Sequence, residues 1–367
     1  MQRRTKIVLS DLHIGTGHAK GRPNFFDDFV DDDRLAQLLA RLSQQLTEDE
    51  AELIINGDFF DLLKVPINGL FPEAITEGVG ALKVELCMRG HPKVIEALRA
   101  FLKGGKSRRI SWLPGNHDME LVFPSVRKVF SRAVCGAESD ERVRFVVDRD
   151  HYRLEGGVEI HHGHQFEALN SFDFKQLTLE KGLPEPILNM PWGSLFVLQV
   201  LNKYKEERPY LARVKPFWPA MVGGLVVDTR FTARLLANAG YYFLRARVSP
   251  LWRARRPFTK LSKFLLNDIS FFEKHEETAQ RMFKADPSLR AVIMGHTHTE
   301  MVRTYGRGER IYVNTGTWMP MVNLSLENLG QSAGRHYALI RYTDRGEARV
   351  SLMRWHGRRA LREEVTF

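Results

Sequence analysis

A layered α/β domain with two sheets, interrupted between about Gln165 and Leu289 by a mainly helical insertion, is the fold class the sequence predicts. Three observations lead to it. Short apolar strands alternate with helix-like patterns over the first 165 residues. Strands dominate again after Leu289, and the stretch between concentrates basic and aromatic side chains. With 367 residues and 43% hydrophobic content, the chain can bury a substantial core. Residues 1–165 and 290–367 are expected to form that core, and 166–289 a basic, aromatic-rich cap.

The first strand is "KIVLSD". It is followed by "DDDRLAQLLARLSQQL", which places Leu35, Leu38, Leu39, Leu42 and Leu46 on one helical face and three aspartates at the positive helix end. "AELIINGD" reads as a buried strand, "HPKVIEALRAFLKGG" as an amphipathic helix with exit glycines, and "RRISWLPGNHD" as a strand entering a polar loop. "RVRFVVD" and "VEIHHGH" complete the first part. After the insertion come "RAVIMGHTH", "RIYVNTGTW", "HYALIRY" and "ARVSLMRW", with turn signals at "YGRGER" and "TDRGEA".

Composition excludes several classes. Cys87 and Cys135 are too few for a disulfide framework and lack zinc-ribbon spacing, so a reducing, cytoplasmic setting is expected. The N-terminal apolar run is too short for a signal-peptide core, and "FWPAMVGGLVV", broken by Pro219 and two glycines, is too short to span a membrane. Between Val200 and Lys263 stand 14 Lys and Arg against 3 Asp and Glu, a local net of +11 that leaves the rest of the chain at −1.

Apolar strands repeatedly end in metal-compatible side chains. "IVLSDLH" supplies Asp11 and His13, "LIINGDFFD" Asp58 and Asp61, and "ISWLPGNHD" Asn116, His117 and Asp118. "EIHHGH" and "IMGHTH" follow, the latter presenting His296 and His298 two residues apart on one side of an extended segment. Each fragment alone has an ordinary reading as a turn or a solvated loop. Five in succession point to one rim of a rigid α/β scaffold.

In this order, D-x-H, G-D-x-x-D, G-N-H-D, H-G-H and G-H-x-H, the motifs resemble the calcineurin-like metallophosphoesterase superfamily over roughly residues 5–165 and 290–320. The resemblance implies a two-sheet β-sandwich flanked by helices, with two divalent metals at the loop edge. It makes Asp11, His13 and His298 ligands of one metal, Asn116, His162 and His296 ligands of the other, and Asp58 the bridge. Manganese is the expected metal; iron and zinc suit the same Asp, Asn and His donors. His117 is similar to the family's non-ligand histidine, which contacts the phosphoryl oxygens or protonates the leaving oxygen. Asp61 looks like the carboxylate that orients it, with Asp118 the alternative. His161 should face away from the site and His164 support the ligands. His18, His91 and His275 carry no signal of their own.

Leu62 and Leu63 stand where phosphoprotein phosphatases carry Arg and Gly, which argues against that branch. "SDLHIG", "NGDFFDLL", "LPGNHD", "IHHGHQFE" and "NTGTW" instead look most like the bacterial branch containing UDP-2,3-diacylglucosamine hydrolases, which cleave a pyrophosphate in lipid A synthesis. The insertion mixes cations with Phe217, Trp218, Tyr241, Tyr242, Phe243 and Trp252. That composition suits an acylated anionic substrate and an anionic inner membrane surface. The same segment is also compatible with a nuclease gripping a phosphate backbone, or with a scaffold that only binds a protein partner.

Overall fold

Val8, Ile54 and Ile293 each sit between neighbours that point the opposite way, and this period of two sorts the strands into layers. The computed structural model describes residues 4–18, 23–46, 50–215, 217–248, 274–324 and 330–357. The chain begins with β1 (Arg4–Leu9), α1 (Asp32–Gln45), β2 (Glu50–Asn56), α2 (Glu77–Gly90) and α3 (Pro92–Lys103). Next come β3 (Arg109–Leu113), α4 (Pro124–Cys135), β4 (Val143–Phe145), β5 (His151–Leu154) and β6 (Val158–His161). The insertion carries β7 (Thr178–Leu179), β8 (Ile187–Leu188), α5 (Trp192–Phe196), α6 (Asn202–Lys205), β9 (Val214–Lys215), α7 (Phe217–Val227) and α8 (Thr229–Val248). The chain continues with α9 (His275–Ala285), β10 (Ala291–Met294), β11 (Glu300–Tyr305) and β12 (Arg310–Thr315). It closes with β13 (Met321–Asn323), β14 (Gly330–Ser332), β15 (His336–Tyr342) and β16 (Ala348–Arg354).

One sheet has the order β16-β15-β1-β2-β3-β4, with β1 to β4 parallel, and the other has the order β11-β12-β10-β6-β5, with β6, β10 and β12 parallel. Val8, Ile54, Ile160, Ile293, Val313 and Ile340 fill the space between them. On the outer face of the first sheet, Ile7, Leu9, Leu53, Ile55 and Trp112 pack with Leu35 and Leu38 of α1, Leu98 of α3 and Phe130 of α4. On the outer face of the second, Val292 and Met294 meet Ala279 and Phe283 of α9. This is the predicted two-sheet α/β sandwich flanked by helices, with helices predominating in the insertion.

The insertion is joined to this core through both apolar and backbone contacts. Leu195, Leu198, Tyr204, Phe231 and Leu235 belong to the same buried cluster as the helices of the first sheet, and β9 pairs in parallel with β13. Trp192, Phe196 and Leu201 of the insertion line one cavity with His13, Asp58, Asn116 and His298, which follow the C-terminal ends of β1, β2, β3 and β10. Trp252, Arg253, Arg255 and Arg256 of the basic segment lie outside the described residues, as do the side chains of Phe217, Trp218 and Phe243. Among the described residues no helix is long and apolar enough to cross a membrane.

Candidate metal centre and adjoining cavity

Because β1, β2 and β3 run parallel, the loops that leave them share one edge, where Asp11, His13, Asp58, Asn116 and His117 emerge. His162 leaves β6, and His296 and His298 leave β10, at the matching edge of the second sheet. Asp11, His13, Asp58, His296 and His298 all adopt positive φ, between 50° and 68°, which is uncommon for residues with a side chain. Such strain persists where surrounding structure imposes it, most often at functional sites. The glycines of two motifs allow the close approach: a Cβ on Gly115 would overlap Asp58 Oδ1, and one on Gly295 would overlap Asp11 Oδ2.

Four donor atoms converge at the first half of the site. His13 Nε2 lies 2.9 Å from His298 Nε2, 3.5 Å from Asp58 Oδ2 and 4.0 Å from Asp11 Oδ1, and His298 Nε2 is 3.3 Å from Asp11 Oδ1. Tetrahedral ligands on bonds of about 2.1 Å stand roughly 3.4 Å apart, in the middle of these spacings. Asp58, His162 and His296 form the second half, with His162 Nε2 3.3 Å from Asp58 Oδ2.

The donor chemistry fits divalent cations. His162 Nδ1 donates to the Asn56 carbonyl at 2.8 Å, so in the neutral ring Nε2 carries the lone pair, and this buried nitrogen has no hydrogen-bond partner. Asn116 Oδ1 is likewise buried and unpartnered, and Asn116 shares the cavity wall with Asp58. Burial lowers the affinity of His162 for a proton, yet Asp58 and Asp11 lift its pKa to about 10. The field at Nε2 therefore favours positive charge.

His117 stands at the cavity wall with Nδ1 2.7 Å from Asp61 Oδ1. Burial depresses His117, but Asp61 and Asp58 raise it above the ordinary imidazole value. Asp61 also receives Lys64 Nζ at 2.6 Å and lies 3.2 Å from His13 Nδ1; although burial raises its pKa, Lys64 and His117 hold it well below the usual carboxylate range. Asp118 does something else: it accepts from Phe59 N at 2.8 Å and Gly115 N at 2.6 Å, bracing two of the site's loops. His161 turns to Glu159 at 2.7 Å on the other face of β6, and His164 is buried beside His162 with neither ring nitrogen hydrogen-bonded.

Several residues here carried no signal in the sequence. Glu167 Oε2 lies 2.8 Å from His296 Nε2 and accepts from Asn170 Nδ2 at 2.8 Å. Burial raises the Glu167 pKa, but His296 dominates with its partners and holds it at about 2. His275 is buried with its ring stacked on His296. Lys205 of α6 reaches Asp28, which also accepts from Lys64 at 2.8 Å. A cavity of about 660 Å³ opens from His117, Asp58 and His296 into the insertion. Trp192, Phe196, Leu201, Leu211, Met319 and Met321 give it an apolar wall; Lys64, Lys205 and Lys215 also line it, and burial lowers the pKa of Lys205 to about 7 and of Lys215 to about 8.

A family model described as calcineurin-like phosphoesterase matches residues 5–300. Among solved structures, a dimetal phosphatase from Danio rerio is 10% identical, with 94% of this chain and 98% of that chain covered and a TM-score of 0.38. A calcineurin-like phosphoesterase from Bacillus subtilis is 12% identical, covering 98% of this chain and 93% of that one, with a TM-score of 0.38. No curated protein matches.

Proposed function

Since the chain belongs to the calcineurin-like phosphoesterase family, we propose that it hydrolyses a phosphodiester or pyrophosphate bond in an acylated, anionic substrate such as a UDP-diacylglucosamine-like lipid. The observation that carries this reading is the cavity of about 660 Å³, which joins the Asp58–His117 rim to an apolar chamber built by α5, the helical turn after it and Met319 and Met321. A small polar phosphoester needs no such chamber. A chain of methylenes does, at about 0.8 kcal/mol for each one buried.

Asp11, His13, Asp58 and His298 would hold one divalent ion, and Asp58, Asn116, His162 and His296 the other. Bound there, the ions supply an activated water and charge neutralisation for the phosphoryl group, with manganese the expected species and iron or zinc alternatives. Asp61 fixes the His117 ring through Nδ1 and leaves Nε2 to meet the phosphoryl or leaving oxygen. Lys64 and Lys205 stand in the cavity wall paired with Asp61 and Asp28, burial holds the Lys205 pKa down at about 7, and the apolar wall keeps bulk water from the substrate's acyl part.

The supply side of the same reading is a membrane surface. α7 has no charged residue and exposes Val222, Val226 and Val227, while its Pro219 lines the cavity. Docking of that helix on an anionic leaflet would put the chamber next to its substrate.

The test has two stages. Protein stripped by a chelator should lose hydrolysis of bis-p-nitrophenyl phosphate and regain it on manganese addition; full activity without metal would refute the mechanism. Phosphorus NMR on UDP-diacylglucosamine beside single-stranded DNA then identifies the substrate. Cleavage of the DNA alone would replace the lipid reading with a nuclease.

A further inference from the structure

We infer that Glu167 is a positioning residue that aims His296 at the second metal, and that Asn170 ties this pair to α5. The inference rests on the metal-centre reading above. A carboxylate only accepts, so the 2.8 Å contact between Glu167 Oε2 and His296 Nε2 assigns the proton to Nε2. Nδ1 is then the nitrogen left to join Asp58 and His162. A histidine held in this way by a carboxylate is fixed in tautomer and ring orientation, and is a stronger donor to a metal.

The rest of His296 is held from other sides. Its backbone N donates to both Asp11 oxygens at 3.0 Å, and the His275 ring lies over it with centroids 6.0 Å apart and planes 18° from parallel. Ring rotation is thus governed by Glu167, which is buried and cannot swing away without losing Asn170 as well.

Asn170 in turn abuts α5. Gly193, in the first turn of α5, donates its backbone N to Leu169 O at 2.8 Å, and a Cβ at position 193 would overlap Asn170 Oδ1. Trp192 and Phe196, on either side of Gly193 in α5, line the chamber. Gly193, Asn170, Glu167 and His296 all line the chamber, so a contiguous set of contacts runs along its wall from α5 to one metal ligand. It leaves His13 and His298, at the other half of the site, untouched.

The test is calorimetric titration of chelator-stripped full-length protein with manganese, without substrate, alongside the visible absorption of the cobalt-loaded form. The wild type should take up two ions. Glu167→Ala should weaken one of them by about 10- to 100-fold and alter the cobalt spectrum while the other ion binds as before. Glu167→Gln, which keeps an acceptor for His296, should recover part of the loss. Gly193→Ala, which touches no ligand, should weaken the same ion by a smaller factor. Two ions bound with wild-type affinities in Glu167→Ala, or both weakened equally with a lowered melting temperature, would overturn the inference. A wild type that binds no ion would instead remove the metal-centre reading on which it rests.

Discussion

Asp58 directs one oxygen, Oδ2, at His13 Nε2 and His162 Nε2, 3.5 Å and 3.3 Å away, while Oδ1 accepts from His117 N at 2.9 Å. One atom thus faces both halves of the proposed centre, so Asp58→Ala is expected to abolish occupancy of both ions together with turnover. His117 is placed differently: its ring contacts Asp61, and His117→Ala should retain two ions while turnover falls by about 10²–10⁴-fold. Metal analysis of the purified variants beside steady-state rates checks both, and metal loss from His117→Ala would mean the wrong histidine had been set apart. The gathering of these residues at one edge was legible in the sequence because each lies one to five positions beyond an apolar strand, in a short polar motif. Glu167 was not, although it stands three residues after His164 in the quoted "HHGHQFE" run. Its role depends on an approach to His296 across 129 positions of chain, which no local spacing encodes. Lys64 and Lys205 were invisible for the same reason, since Asp28 collects them from two distant elements.

Among the helices, α1 and α3 were legible, because their buried apolar residues repeat at helical spacing, whereas α4 and α9 were not read although each buries one face. α2 escaped because its buried positions include Gly80, Lys83 and Cys87, a set with no apolar stripe; Lys83 is accommodated by donating to Leu62 O at 2.9 Å. The junction of α2 and α3 carries a further device. His91 at that junction lies 2.8 Å from Asp27 and 2.9 Å from Asp32, tying α3 to the start of α1. Burial lowers the pKa of His91, but the hydrogen bonds to Asp27 and Asp32 more than offset this and bring it to about 9. Because the folded value exceeds the unfolded one of about 6.5, this stabilisation is complete below pH 6.5 and disappears as pH rises through 9. A shift of that size corresponds to up to about 3 kcal/mol. Denaturant titrations at pH 6 and pH 9.5 should show the wild type losing stability over this interval by more than His91→Gln does. Equal losses in the two proteins would exclude the ion-paired histidine as the cause.

Along the sequence the positive charge is concentrated in the insertion, and among the described residues much of the exposed apolar surface lies there too. α7 leaves Val222 66%, Val226 83% and Val227 89% exposed, and α8 adds Tyr241 and Leu244, with Arg230 and Arg245 on the same helix also exposed. Scattered surface valines need no explanation, but an uncharged helix that exposes several of them and contributes Pro219 to an apolar cavity has the form of an interfacial element. If it enters the acyl boundary of a bilayer, each valine side chain withdrawn from water contributes about 1.5 kcal/mol or more, roughly a tenfold effect on partitioning. Nearby arginines add attraction to anionic lipids that salt screens. The double substitution Val226→Glu with Val227→Glu removes two such contacts and places like charge against the leaflet, yet both positions are so exposed that folding should be unaffected. Cosedimentation with phosphatidylglycerol-rich vesicles is therefore expected to fall at least roughly tenfold, and turnover of an acylated substrate in those vesicles with it. Hydrolysis of bis-p-nitrophenyl phosphate should be unchanged, because neither valine lines the cavity or the proposed metal centre. Vesicle binding that survives the double substitution would exclude α7 as the docking element. Wild-type protein that ignores vesicles but is retained on single-stranded DNA in a salt-dependent way would assign the basic insertion to a nucleic-acid backbone instead.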